Sequence, residues 1–440
     1  MNQTIYPLFR FIHQNARIRH ASHAEKIVFW TIILTPLWWL LGIQPLLYPA
    51  ILIFIFIKSI NLDTLIRNPP PLSIWAWLAM SLIMLWTALI GISDASLGLK
   101  ETLAAIVTFA KGYFLIFISL ILPFWNPIRT VIITRAVAWM ASGYLVGILL
   151  LIISLFLGFT ESFSPPWANF FPGNPASFVV KAPTFQAFFG VVVPRTTLYF
   201  PDPPILGICG LLCFIICLGE SCPTLRRWGL LGSFTALIIS QSRLAWICLP
   251  LSLCIYSIFR TQRARLGSLW TGASAALLCT SLGGITIAEL LNKPLEIFTS
   301  ARPASSTDRE FVVRKTLEAW QESPFLGWGV AQGTADWHTY SITLGSFSTY
   351  AAVLYLHGVV GFAFFLIALL STLWNLWKLA IQDHSAAQKA LGAVIALIIF
   401  MEAIPLSWMA VYFWFFFVWV GSILIELNSQ NDELIKISHS

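Results

Sequence analysis

Ala136-Val-Ala-Trp-Met-Ala-Ser-Gly-Tyr-Leu-Val-Gly-Ile-Leu-Leu-Leu-Ile-Ile-Ser-Leu-Phe-Leu-Gly-Phe159 runs for twenty-four residues without a charge. A helix rises about 1.5 Å per residue and the hydrocarbon core of a bilayer is about 30 Å thick, so roughly 20 mostly apolar residues are enough to cross it. Comparable stretches lie on either side. Before it come 27–43, 44–60, 73–92 and 103–124; after it come 204–219, 228–240, 244–259, 266–290, 349–374, 390–403 and 407–427. The expected fold is an all-α polytopic membrane protein of about 12 transmembrane helices. Composition agrees, with 58% hydrophobic and 10% charged residues, where a soluble domain carries about a quarter charged.

Sixteen Lys and Arg residues fall on one side of this topology and nine on the other, with Lys111 left inside a span. Cytoplasmic loops are enriched in these residues, so both ends are expected inside. The division is then a cytoplasmic segment 1–26, a single membrane domain 27–427 and a cytoplasmic tail 428–440. Outer loops cover about 160–203 and 292–348, the second containing short helices. The basic start lacks the apolar core and small-residue cleavage site of a signal peptide.

The charge of +7 is scattered in short patches between apolar runs. Membrane lipid is its expected counterpart and nucleic acid is not. Cys209, Cys213 and Cys217 form a helical stripe with no His or carboxylate beside them, which reads as small packing residues rather than a metal site. No metal, nucleotide or other cofactor motif is present in the sequence.

The first long loop, rich in Pro, Phe and Ser, is expected to be irregular at the membrane interface. The second contains Thr307-Asp-Arg-Glu310, a capping-box spacing that predicts a helix over 308–320, stopped at Ser323-Pro324. The glycines of Pro324-Phe-Leu-Gly-Trp-Gly329 then predict a tight turn. Ionisable groups near a bilayer are costly unless they are used. Arg243, in Ser240-Gln-Ser-Arg-Leu-Ala-Trp246, sits where two spans meet with almost no loop. It reads either as a snorkelling side chain or as a guanidinium fork aimed at a phosphate. Arg195, Arg309 and Arg314 lie near other outer helix ends, either as solvated charges or as partners of Arg243. Lys111 and Glu402 are the nearest candidates for buried charge, with Glu402 at an outer helix end. His338 is an outer loop histidine, and His357 is expected to pack or hydrogen-bond within the bundle.

From Arg195 onward these residues resemble the O-antigen ligase and O-antigen polymerase superfamily of bacterial membrane glycosyltransferases. The resemblance is carried by Arg195 with its aromatic-Pro-Asp-Pro turn, Ser242-Arg243-Leu-Ala-Trp246, Asp308-Arg309 with Trp320, and Pro324-Phe-Leu-Gly-Trp-Gly329. Ser348, nine residues and Gly358-Val-Val-Gly361 complete it. It implies a chain in the bacterial cytoplasmic (inner) membrane that takes a glycan from an undecaprenyl-diphosphate donor. The acceptor would be lipid A core in a ligase or another carrier-linked glycan in a polymerase. No cofactor is implied, and oligomeric state is left open. Arg195, Arg243, Arg309 and Arg314 would hold the diphosphate.

The resemblance also marks departures. Pro204 replaces a usual Asn, and Phe347 stands where a catalytic His is expected. Phenylalanine cannot exchange a proton, and His357 lies about 15 Å further along the helix. His338 is the candidate substitute base. Three readings stand: another residue serves, catalysis is altered or lost, or the register is shifted. From another class, the alternative is a polytopic transporter of a small solute or inorganic carbon.

Overall fold

The computed structural model describes residues 21–60, 69–158, 162–165, 178–188, 191–281, 303–337 and 340–425. The helices before the first long loop are α1 (His23–Ile33), α2 (Thr35–Leu40), α3 (Gln44–Ser59), α4 (Leu72–Asp94), α5 (Leu99–Phe109), α6 (Leu115–Trp125) and α7 (Thr130–Phe156). A hairpin follows, β1 (Thr184–Phe188) and β2 (Val191–Arg195), then α8 (Pro203–Cys217), α9 (Pro223–Ile239), α10 (Arg243–Phe259) and α11 (Gln262–Ser281). After the second loop begin α12 (Pro303–Trp320), β3 (Thr334–Trp337), β4 (Tyr340–Thr343), α13 (Thr349–Ile381), α14 (Ser385–Phe400) and α15 (Leu406–Met409), the last opening a helical run to Ile425.

Five of these stretches are long and apolar enough to cross a membrane: Leu72–Asp94, Leu99–Trp125, Thr130–Phe156, Thr349–Ile381 and Leu406–Ile425. The α10–α11 pair makes a sixth if its 119° bend lies within one span, and α3, α8 and α14 are shorter apolar helices. The fold is therefore a mainly helical membrane bundle, while the expectation of about twelve spans is not reproduced among the described residues. Two causes are local. Residues 27–43 break between α1 and α2 with Pro36 in the second helix's first turn, where proline's fixed φ is tolerated. The 266–290 stretch is helical from Gln262 to Ser281, and 282–290 lie outside the described residues.

α6 is buried from Leu115 through Pro123 and stands at the centre. α7 exposes Val146, Leu149, Leu150, Phe156 and Leu157, an outward apolar face suited to lipid. Between helices, close approach does what the hydrophobic effect cannot do inside a bilayer. α7 packs on α9, and a Cβ on Gly232 would strike the Ala141 carbonyl.

Two expectations about the loops are corrected. Residues 184–188 and 191–195 pair as antiparallel strands rather than irregular chain, with Thr184 opposite Arg195 and Phe188 opposite Val191. Val191-Val-Val193 is the signal for it, because β-branched residues favour strands. The second-loop helix begins at Pro303, so Thr307 lies within it rather than at its N-cap. Proline favours the first helical position and starts the helix early.

α13 is broken at Gly358, which has φ +61° and ψ −168°. The break is filled by 324–329. Trp328 N–H donates to the Tyr355 carbonyl (2.9 Å) and Gly329 N–H to that of Leu356 (2.7 Å), while Val359 and Val360 N–H donate to the Pro324 and Phe325 carbonyls (2.9 and 3.2 Å). An interrupted helix at membrane depth needs such replacement partners. Next to the break, His357 Nδ1 bonds Thr87 Oγ1 at 2.6 Å and its ring meets Tyr113 edge-on, the packing role expected of it.

Candidate functional site

Arg195 closes β2, and its side chain ties the hairpin to the α9–α10 turn. Nε donates to the Ser240 carbonyl (3.1 Å) and Nη1 to Gln186 Oε1 (2.7 Å), while Gln241 Nε2 donates to the Pro194 carbonyl (3.1 Å). The turn itself is sharp, with Gln241 at φ +51°. Arg243 follows it as the first residue of α10, half-buried, so its backbone sits within three residues of the Arg195 contact.

The hub of the arrangement is Asp202, the residue that precedes α8. Burial pushes its carboxyl above the usual carboxylate range, and Lys181, Arg195 and Arg309 all act on it in the opposite direction. Burial likewise lowers Arg309, against the pull of Asp202. Arg195 and Arg309 come from segments more than a hundred residues apart, yet the field of each acts on one carboxylate. The guanidinium of Arg309 also lies 5.5 Å from the centre of the Phe347 ring. Phe347 is half-buried, and Ser348 behind it is buried and caps α13.

Arg314 is placed differently. Its Nε is 3.9 Å from Glu318 with the side chain 66% exposed, and its guanidinium lies over Phe311. Five positions on from Arg309 is roughly 140° around the helix, which turns Arg314 away from the Asp202 hub. His338 lies outside the described residues. Lys111 is buried on a π-turn, Ala110–Phe114, whose Gly112 rests against Ser407, whereas Glu402 is exposed in the turn after α14.

Asp202 and Glu402 are the residues that sequence reasoning did not assign to the site. Asp202 was visible only as part of a Pro-Asp-Pro turn, although an acid held between prolines at a helix start is a recognisable signal. Three cations act on this single carboxylate, an excess of fixed positive charge that suits an anion with several oxygens.

Residues 228–366 match a family model described as O-antigen ligase. Over that stretch, about a third of its length, the chain is similar to the O-antigen ligase family. The match spans Arg243, Arg309, the loop that fills α13, and the Phe347–Ser348 step, so the superfamily resemblance is shown for this stretch. Arg195, Asp202 and Glu402 lie outside the ligase match and reach it only through the fold. No curated protein matches the chain.

The raised Asp202 pKa has a testable consequence. A carboxyl with a higher pKa folded than unfolded holds more protons in the native state over the interval between the two values, so stability falls as pH rises through it. In Asp202→Asn that part of the pH dependence is expected to disappear. Thermal unfolding in detergent from the ordinary carboxylate range to neutrality, with the unaltered chain in parallel, reads the change; identical slopes would show that Asp202 titrates normally.

Proposed function

We propose that the chain is a membrane glycan transferase of the O-antigen ligase or polymerase kind. It moves a glycan from an undecaprenyl-diphosphate donor to a glycan or lipid acceptor at the outer face of the cytoplasmic membrane. The observation that carries this reading is that Arg195, whose side chain bonds the turn bearing Arg243, and Arg309 both act electrostatically on Asp202. A departing diphosphate gathers negative charge, and preorganised cations stabilise it without reorganising at the moment of reaction. The membrane delivers the lipid tail of the donor, and the guanidinium forks receive its head. Two termini inside and one membrane domain over 27–427 complete the proposed topology.

The test uses the purified full-length chain with an undecaprenyl-diphosphate-linked oligosaccharide. Consumption of this lipid is expected, and Arg243→Ala is expected to slow it about 100-fold, the usual scale for losing one transition-state donor. Equal rates in the two proteins would remove Arg243 from the reaction.

A transporter reading draws on the broken α13 and on buried Lys111, since interrupted helices and intramembrane charges mark transport sites. The break is filled by the chain's own backbone, which favours the transferase. Solute uptake by proteoliposomes, with no glycan release, would reverse that preference.

A further inference from the structure

The position of Phe347 leaves the proposed reaction without its expected proton acceptor, and the fold brings a carboxylate to the neighbouring residue. Ser348 Oγ donates to Glu402 Oε2 at 3.0 Å and also caps α13, where it accepts from Ala351 N–H. Ser348 adopts φ +58°, a left-handed conformation that costs a non-glycine residue about 1–3 kcal/mol and concentrates at functional sites. The Glu402 turn is bolted to the same helix start. Thr349 N–H donates to the Met401 carbonyl (2.6 Å), Thr349 Oγ1 to that of Ile404 (2.8 Å), and Leu406 N–H to Thr349 Oγ1 (2.9 Å).

Glu402 is thus held in place by backbone yet exposed. One oxygen is occupied by Ser348, and among the described residues the other has no hydrogen-bond donor. Arg309 lies 5.5 Å from the centre of the Phe347 ring, and Glu402 is bonded to Ser348, the next residue, so a cation and a carboxylate each contact the step where the histidine is missing.

We propose that Glu402 is the catalytic residue that takes the proton from the acceptor hydroxyl, in place of the histidine that Phe347 replaces. The step rests on the transferase reading above. The acceptor O–H bond breaks and its proton passes to the Glu402 carboxylate as the oxygen bonds to the anomeric carbon of the donor glycan. The bond from that carbon to the phosphate oxygen breaks, and its electron pair leaves with the carrier diphosphate beside Arg309. Glu402 then returns the proton to water. The exposure of the carboxylate suits an acceptor approaching from solution, while Ser348 fixes its orientation.

The experiment compares the full-length chain with Glu402→Gln and Glu402→Asp. Glutamine keeps an oxygen to accept the Ser348 hydroxyl but has no basic carboxylate. The probe is an undecaprenyl-diphosphate-linked oligosaccharide serving as donor and acceptor, read as release of undecaprenyl diphosphate. Affinity for free undecaprenyl diphosphate is measured separately. Glu402→Gln is expected to lower the release rate about 100-fold or more, the scale of general-base catalysis, with affinity unchanged within about twofold. Glu402→Asp is expected to fall between the two. Release by Glu402→Gln at the unaltered rate would overturn this proposal and leave the transferase reading standing, and a parallel loss of affinity would reduce Glu402 to a structural role. No release by the unaltered chain would overturn both.

Discussion

Arg309→Ala is expected to slow glycan transfer about 100- to 1,000-fold, while Arg314→Ala changes it by no more than a few-fold. The contrast comes from environment rather than from charge. Arg309 is half-buried, with Asp202 acting on it and the Phe347 ring beside it; its field is less screened than that of an exposed charge. Arg314 is 66% exposed and pairs with Glu318 on its own helix, an arrangement worth little. Arg309→Lys keeps the charge but loses the planar fork, and should fall between wild type and alanine. Removing Arg309 also leaves Asp202 with fewer cations, so a pure folding defect has to be separated. The double variant Arg309→Ala/Asp202→Asn is expected to regain thermal stability without regaining rate. Recovery of both would make Arg309 a structural partner of Asp202 alone.

Gly358→Ala is expected to abolish recovery of folded protein. With φ +61° and ψ −168°, Gly358 occupies a region that is essentially closed to other residues and costs about 1–3 kcal/mol to enter. The added Cβ would also strike the Phe325 carbonyl, forcing the filling loop out. The loop supplies partners to Tyr355, Leu356, Val359 and Val360, and each buried backbone group left alone costs about 1–3 kcal/mol. The combined loss is comparable with a typical total stability of about 5–15 kcal/mol. Gly143→Ala is the matched control, since a Cβ there meets nothing within 4 Å. Monodisperse yield after detergent extraction, followed by thermal unfolding, measures both; normal yield of Gly358→Ala would show that α13 tolerates another path.

Arg243 was legible in the sequence because it sits at the junction of two apolar runs where charged residues are few, and Arg195 and Arg309 were legible as outer-loop arginines within an ordered set of motifs. Phe347 was legible as a substitution within an ordered set of motifs. Their meeting point was not. Asp202 comes under the field of both arginines only when α8, the β1–β2 hairpin and α12 are brought together, and no local pattern encodes that arrangement. Glu402 follows Ser348 by fifty-four positions, and only the bonds of Thr349 to Met401 and Ile404 bring them together. The spaced glycines at 327 and 329 were visible, but their purpose depends on a second glycine site at 358. The misplaced N-cap at Thr307 has a simpler cause: a capping pattern is short enough to occur inside a helix that already has a better start at Pro303.

Chain order gives the filled break in α13 a consequence for biosynthesis. Residues 324–329 leave the ribosome before Tyr355–Val360, so the segment that completes the helix is made before the helix that needs it. The partners that the peptide groups around Gly358 use in the folded bundle are thus already part of the chain when that break is made, and the repair waits on no later segment.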